Sequence, residues 1–352
     1  MVKGTAFRKK ALGDFCTQLS ELMAAGIPVV DSLDILKNEG QRAKHRAVLL
    51  TLKQRLWQGA HFSEALAEAE PGFPPLMIAM CRAGEKSGSL VWMLSSLGDY
   101  YTGMAAFEAQ LLKTLFYPMV VLLVALGVMT FMSIWVLPVF SDIYLSLGVT
   151  PPLLTQVVLT AGRWLGPALA ALGGLGAMLV PVWHRAQKNQ AFGLWWGRLV
   201  LRLPILGRVR ADGELASFFQ ALGMMSAGGV GLLTALETAL QVLKNPWISA
   251  RAAQALKQVR RGAKVSQAFG DRGLFGERAL QLLVIGEATG DMDGVFLKAA
   301  EGFRRAGERR MAVVSALLEP VTILGVGGLV FVVVLAVMLP VFGIYENYTQ
   351  LF

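Results

Sequence analysis

The sequence predicts an all-α membrane protein in which a helical cytoplasmic domain is duplicated and three transmembrane helices interrupt and close the chain. Three observations predict it. The chain repeats itself: at a shift of 203 residues "GIPVVDSLDIL" from Gly26 lies over "GVGLLTALETA" from Gly229, and "GAHFSEAL" from Gly59 over "GAKVSQAF" from Gly262. One residue is then lost, and at a shift of 202 Gly84-Glu85 lies over Gly286-Glu287, Phe73 over Phe275, Pro118 over Pro320, and "LPVF" at 137–140 over "LPVF" at 339–342. The composition, 55% hydrophobic and 16% charged with a mean hydropathy of +0.53, is too apolar for an ordinary soluble domain. Charge is also absent from three long runs, Thr114–Ser141, Trp164–Trp183 and Pro320–Tyr345. About twenty apolar residues cross a bilayer as a helix, and each run is long enough.

In chain order, residues 1–113 are expected to form the first cytoplasmic helical domain. Leu12, Phe15, Leu19, Leu22 and Met23 follow the spacing of a helix with one apolar face, and Gly26 with Pro28 stops it. Asp31 is placed to cap the next short helix, with Asp34 at its third position as in a capping box. Further helices fit 42–57 before Gly59, 63–69 before Pro71 and Gly72, and 75–83 before Gly84. A long helix then runs from about Ser89 through the first transmembrane segment, 114–141; some fifty residues would reach about 75 Å and join domain to span mechanically, with Pro118 as a point of bending.

Residues 142–162 form a loop, 163–183 the second transmembrane helix, and 184–316 the second cytoplasmic domain. Its helices are expected at Ala211–Ala227, Thr234–Leu243, Trp247–Arg261, near Ser266, and at Glu277–Ile285. A last long helix from about Asp293 enters the third transmembrane segment, 317–342, and leaves a tail at 343–352. Four prolines, Pro118 and Pro138 matched by Pro320 and Pro340, mark the repeated membrane helices.

Charge sets the orientation. Of the 33 Lys and Arg residues, 13 precede the first span and 19 lie between His184 and Ala316; Arg163 stands at the edge of the second span. Arg185, Lys188, Arg304, Arg305, Arg309 and Arg310 lie close to membrane ends, where a positive bias points to the cytoplasm. The N-terminus is therefore expected to be cytoplasmic, and the 142–162 loop and the C-terminus to face the opposite side. The net charge of +9 follows from this topology and from attraction to anionic headgroups. No nucleic-acid partner is expected, since the basic residues lack the interleaved aromatics of a strand-binding groove. "MVKGTAFRKKALGDF" turns polar where a signal peptide needs an apolar core. Cys16 and Cys81 fall on the reducing side and read as buried thiols.

The stretch "AGEKSG" at 83–88 resembles a phosphate-binding loop but lacks its spacing: Glu85 separates Gly84 from Lys86, and Ala79 stands where the upstream glycine is required. Its copy replaces the lysine with Ala288. What recurs is a turn, Gly84-Glu85-x-Ser-Gly88 and Gly286-Glu287-x-Thr-Gly290. Gly84 and Gly286 are expected to end one helix, while Ser87 or Ser89, and Thr289, Asp291 or Asp293, cap the next. Glu85 and Glu287 would either hold local N–H groups or contact a partner protein. "GDMDG" at 290–294 lacks the ligands of a calcium loop. His45, His61 and His184 are scattered and no hydrolase or metal signature occurs, so no catalytic, cofactor or metal residue is assigned. The spans hold no ionisable residue in their interiors, which weighs against the alternative of a polytopic transporter or permease subunit. Gly162, Gly166, Ala170 and Gly174 form a small-residue stripe suited to helix packing in the membrane.

Two copies of an apolar helix, an "AGIPVVDSL"-like turn, a G-x-x-[FV]-S-x-A turn, the Gly-Glu turn and a span closing with "LPVF" together resemble the inner-membrane platform family of type IV pilus assembly and type II secretion, over Leu12 to Phe342. The resemblance implies a duplicated six-helix cytoplasmic domain, three spans in a bacterial inner membrane with a periplasmic C-terminus, no enzyme activity and no cofactor. Its implied partners are a cytoplasmic hexameric assembly or retraction ATPase, pilins or pseudopilins, other inner-membrane assembly components, the lipid bilayer and further copies of the chain. The short segment before the first helix points to the type IVb or conjugative thin-pilus subgroup. The second copy departs from the first in carrying Gly231 where the first has Pro28.

Overall fold

The structure, a computed structural model, describes residues 7–38, 43–69, 72–136, 138–139, 142, 160, 190–203, 206–271, 275 and 277–351. All regular structure among them is helical. The first half runs α1 (Lys9–Ala24), α2 (Val29–Asn38), α3 (Ala43–Trp57), α4 (Phe62–Glu68), α5 (Pro75–Ser87) and α6 (Leu90–Phe131), the last continuing into a π-helical turn at Met132–Val136. After α7 (Gln190–Arg202) the plan recurs as α8 (Leu206–Ala227), α9 (Leu232–Leu240), α10 (Pro246–Val259), α11 (Val265–Gly270), α12 (Glu277–Thr289) and α13 (Met292–Leu351).

Backbone geometry carries the duplication. The positive-φ glycines among the described residues are Gly26 and Gly229 (87° and 77°), Gly59 and Gly262 (86° and 93°), and Gly88 and Gly290 (71° and 78°). Each pair is related by the sequence shift, and each member ends a helix in the left-handed region that glycine alone enters without strain.

The chain divides into two compact units. One holds Met1–Gln110 and Gly193–Met311; the other holds Leu111–Phe192 and Ala312–Phe352. In the first, the apolar face of α1 buries Leu12, Phe15, Cys16 and Leu19, and the matching face of α8 buries Leu215, Phe218, Phe219 and Leu222. Repeat-matched aromatics anchor both bundles: Phe73 lies 6.2 Å from Phe15, and Phe275 stacks at 5.0 Å on Phe269. The two repeats also pack on each other inside this unit. Helix α5 lies against α8 and α9. The Met93 side chain of α6 fills the space over Gly228, where a Cβ would overlap its methyl and stand 2.9 Å from its sulfur. Phe107 covers Gly213, whose Cβ would stand 2.9 Å from the ring. Glu108 pairs with Lys9 of α1 and, at 3.2 Å, with Lys244 before α10.

The second unit contains the apolar parts of α6 and α13. Both helices are long and apolar enough to cross a membrane, and within the most apolar stretch of each almost no residue is buried by protein. Leu123 and Leu324, 69% and 75% exposed, suit lipid rather than water. The Thr114 and Ser315 hydroxyls meet at 3.3 Å, and the helices continue through Pro118 and Pro320. The π-helical turn lies just before Pro138, whose missing N–H cannot continue the ladder. Pro340 lies within α13, which runs on to Leu351. The expected second span at 163–183, with Gly162, Gly166, Ala170 and Gly174, falls outside the described residues.

Three local expectations are corrected. Gly84 and Gly286 do not end helices: α5 and α12 run on to Ser87 and Thr289, because Gly88 and Gly290 are the residues that take the left-handed conformation. Asp31 does not cap α2. The helix starts at Val29, and the Pro28 carbonyl already accepts the Ser32 N–H at 2.9 Å, so Asp31 lies in the first turn. Helix α7 was not anticipated, its Trp195-Trp196 face being masked by the apolar run that precedes it.

Candidate functional site: two carboxylate-held helix corners

The Gly-Glu positions lie in the last turn of α5 and of α12, immediately before the long helices. Gly84 is buried because α6 folds back over it: a Cβ there would stand 2.8 Å from Leu90 Cα and 2.9 Å from Met93 Cγ. At Gly286 the obstacle is Val295 of α13, with Cγ2 2.9 Å from the same position. The glycine thus lets two consecutive helices touch through backbone, and the left-handed residue four positions on turns the chain into the second helix.

The neighbouring glutamates reach the opposite way. Glu85 accepts the backbone N–H of Phe62 and, at 3.2 Å, that of Ser63. Glu287 accepts the Ser266 N–H at 3.1 Å and the Ser266 hydroxyl. Ser63 and Ser266 are themselves a repeat pair. These are the first turns of α4 and α11, whose N-caps are His61 and Lys264. Neither carries the small oxygen side chain that normally satisfies a helix start, so a carboxylate from the next helix supplies the acceptor and its charge suits the positive end of the helix dipole. His61 Nδ1 lies 3.9 Å from Glu85, whose side chain is only 17% exposed. Of the two roles foreseen for these glutamates, the structure displays local N–H holding, on a helix upstream of the turn rather than on the one after it. Asp291 meets the expected cap of the long helix, accepting the Gly294 N–H at 3.0 Å, whereas Asp293 accepts the Ser226 hydroxyl from α8.

This geometry bears on the phosphate-loop resemblance. Residues 83–87 are the C-terminal turn of α5, where carbonyls and the negative end of the dipole point outward; a phosphate cradle needs the opposite, N-terminal end. Among the described residues no three His, Cys, Asp or Glu side chains gather in a metal-binding arrangement.

The burial of both thiols in this core pushes their pKa values up, and Cys81 is raised further by Cys16 and Glu85 nearby. Sequence reasoning missed Asn245, whose side chain caps α10 by accepting the Trp247 N–H at 2.9 Å while donating to the Gly197 carbonyl of α7 at 3.1 Å. Asn followed by Pro246 was a readable helix start. It also missed Glu214, which accepts the Asn245 N–H at 2.8 Å, and the ion pair of Arg310 with the buried Asp212. Those long-range pairings carry no local signal.

A family model described as "Type II secretion system (T2SS), protein F" matches twice, over residues 15–138 and 218–340. The chain is 31% identical to the type 4 fimbrial assembly protein PilC of Pseudomonas putida, covering 93% of this chain and 82% of that one. It is 30% identical to a type II secretion system protein F of Xanthomonas campestris pv. campestris (97% and 84% covered) and 27% identical to the one of Pseudomonas aeruginosa (94% and 81% covered).

Proposed function

Because this chain belongs to the type II secretion system protein F family, we propose that it is the inner-membrane platform protein of a type IV pilus or type II secretion machine. The observation that carries this reading is the double family match over both repeats, on a chain whose α6 and α13 are each fit to cross a membrane. The platform works without enzyme activity of its own: it couples a hexameric cytoplasmic ATPase to the insertion of pilins or pseudopilins into a growing fibre. Three spans divide the chain into cytoplasmic domains at 1–113 and 184–316, each built on the repeated six-helix plan with α7 added at the start of the second, a periplasmic loop at 142–162 and a periplasmic tail at 343–352. The corners at Gly84, Glu85, Gly88 and Gly286, Glu287, Gly290 act as joints, transmitting force on the short helices to the long ones. Gly162, Gly166, Ala170 and Gly174 pack the second span against its neighbours, and Pro118, Pro138, Pro320 and Pro340 shape the repeated spans.

Affinity purification of the tagged full chain from detergent-solubilised membranes tests the reading. Co-purification of an assembly ATPase and of pilin-like subunits is expected, together with fibre or secretion loss on deletion. Deletion that leaves both fibres and secretion intact overturns it. A reporter active only outside the cytoplasm should work after Phe352 and within 142–160 and fail within 190–300; an inactive reporter at Phe352 removes the three-span topology.

A further inference from the structure

Each repeat pairs its first helix with its long helix at the same positions but with different chemistry. The apolar face is common to both: Leu12, Phe15 and Leu19 of α1 stand where Leu215, Phe218 and Leu222 of α8 stand, and all six are buried. Burial alone therefore does not tell α1 from α8. Around that face the repeats are written in opposite ways. Lys9 of α1 pairs with Glu108 of α6. The equivalent residues are Asp212 of α8 and Arg310 of α13, which also pair, with the charges exchanged.

The sterics are exchanged as well. In the first repeat room is made on the long helix, at Gly98: a Cβ there would overlap the Thr17 hydroxyl of α1 and stand 3.1 Å from the Thr17 backbone nitrogen. The equivalent of Gly98 in α13 is Ala300. In the second repeat room is made on the first helix, at Gly223 of α8, whose Cβ would stand 2.7 Å from Leu297 Cδ2 of α13. The equivalent of Gly223 in α1 is Ser20. Ser226 of α8 donates to Asp293 of α13, where the first repeat has Met23 and Val91. Pairing α1 with α13 in the same register would set Lys9 against Arg310, Thr17 against the Ala300 methyl, Ser20 against Leu297 and Met23 against an Asp293 that has lost its donor. Pairing α8 with α6 would set Asp212 against Glu108. The two correct pairs lie side by side, since the Phe107 ring of α6 covers both Gly213 of α8 and Gly307 of α13.

We propose that these four exchanged contacts are a recognition code by which each long helix selects the first helix of its own repeat and rejects that of the other. Choosing between two similar partners needs a penalty for the wrong one as well as a fit to the right one. The reversed ion pair turns attraction into repulsion in either wrong pairing, and the displaced glycines turn a close approach into an overlap. The hazard it answers is built into a duplicated chain, whose like elements can dock in each other's places. A surface ion pair adds little to stability, so the reversal of Lys9–Glu108 into Asp212–Arg310 matters for the choice of partner rather than for the strength of either pair. The inference stands on repeat geometry and does not depend on which machine the chain serves.

Site-directed cross-linking on the full chain tests it. Lys10→Cys on α1 is combined either with Ala106→Cys on α6 or with the equivalent Glu308→Cys on α13, and membranes are treated with a flexible bismaleimide; the native thiols Cys16 and Cys81 are buried. Without further changes the α6 product should exceed the α13 product about tenfold or more. Asp212→Lys with Arg310→Glu keeps an ion pair in the second repeat but gives it the polarity of the first, so the bundle is retained while the charge discrimination disappears, and the α13 product should rise several-fold. Adding Asp293→Val, Leu297→Ser and Ala300→Gly, which writes the α6 or an equally small residue into α13, should raise it about tenfold or more at the expense of the α6 product. Should the larger variant fail to accumulate in the membrane, the charge-only variant decides. An α13 product that stays at its original level in the charge-only variant overturns the proposal, as do equal α6 and α13 products before any change to the second repeat.

Discussion

The Ser63 backbone N–H donates to Glu85 at 3.2 Å, tying the start of α4 to the end of α5 across 22 residues of chain. Its repeat, Ser266 to Glu287, is made at 3.1 Å. Removing the acceptor leaves two partly buried N–H groups unpaired, so Glu85→Ala should cost about 1–3 kcal/mol in unfolding free energy, and Glu85→Gln clearly less because its amide oxygen still accepts. Thermal unfolding of the detergent-solubilised chain measures the order. Equal stability of the Ala and Gln variants contradicts the cap. Glu85→Lys places a cation at the positive end of α4 and should be the least stable of the three. Fibre or secretion loss in Glu85→Gln at normal membrane level would instead assign the charge a contact with another protein.

Gly228 and Met93 give a second prediction. The methionine side chain occupies the volume that a Cβ on Gly228 would take. Gly228→Val should therefore pry α6 from α8 at a cost of about 1–3 kcal/mol. Met93→Ala also destabilises, by opening a cavity in the core. The two changes together should recover part of the Gly228→Val loss, a coupling that a double-mutant cycle reads directly. Strict additivity would show that the two residues do not share that space.

Much of this fold was legible because the chain states it twice. Gly26 and Gly59 became readable as helix ends once Gly229 and Gly262 stood beneath them, and the apolar face of α1 follows from spacing alone, whereas the helix ends at Gly88 and Gly290 were misplaced to Gly84 and Gly286. The Gly-Glu motif was visible, but its working was not. A glycine inside a helix and one after it look alike in sequence, and only the approach of Leu90 to Gly84 and of Val295 to Gly286 separates close packing from turning. The glutamates' partners lie more than twenty residues upstream, beyond the reach of any local rule. The contact of α5 with α8 and α9 joins positions more than a hundred residues apart, which no local sequence rule reaches.

The two thiols provide a third test. Cys16 and Cys81 are fully buried and their pKa values are raised by desolvation, so little thiolate forms and little reagent reaches them. A maleimide should label neither in the native chain at neutral pH and both after denaturation. Rapid native labelling of Cys81 would mean that α5 and α6 separate readily, and that the first repeat is far more open than its packing indicates.

The last prediction concerns pH and the carboxylate that both repeats share. Burial opposes ionisation of Glu108, but Lys9 and Lys244 prevail and hold its carboxyl below the ordinary glutamate range. The folded chain binds this proton less readily than the unfolded chain does. The stabilisation is therefore fully present above the ordinary range and is lost as pH falls through the folded value. Burial pushes Lys9 down and so works against the pair, while Lys244 is raised, against the effect of its own burial, by the Glu108 carboxylate. The Glu108 side chain is 48% exposed, and solvent screening limits the gain to about 0.2–1 kcal/mol. Glu108→Gln should accordingly lower the unfolding midpoint slightly at pH 7, and the difference from the unmodified chain should shrink as pH falls below the ordinary glutamate range. A salt series gives an independent check, because 1 M salt should also erase most of the difference at pH 7. A gap that persists unchanged at low pH would mean that Glu108 holds the repeats together through packing of its stem rather than through its charge.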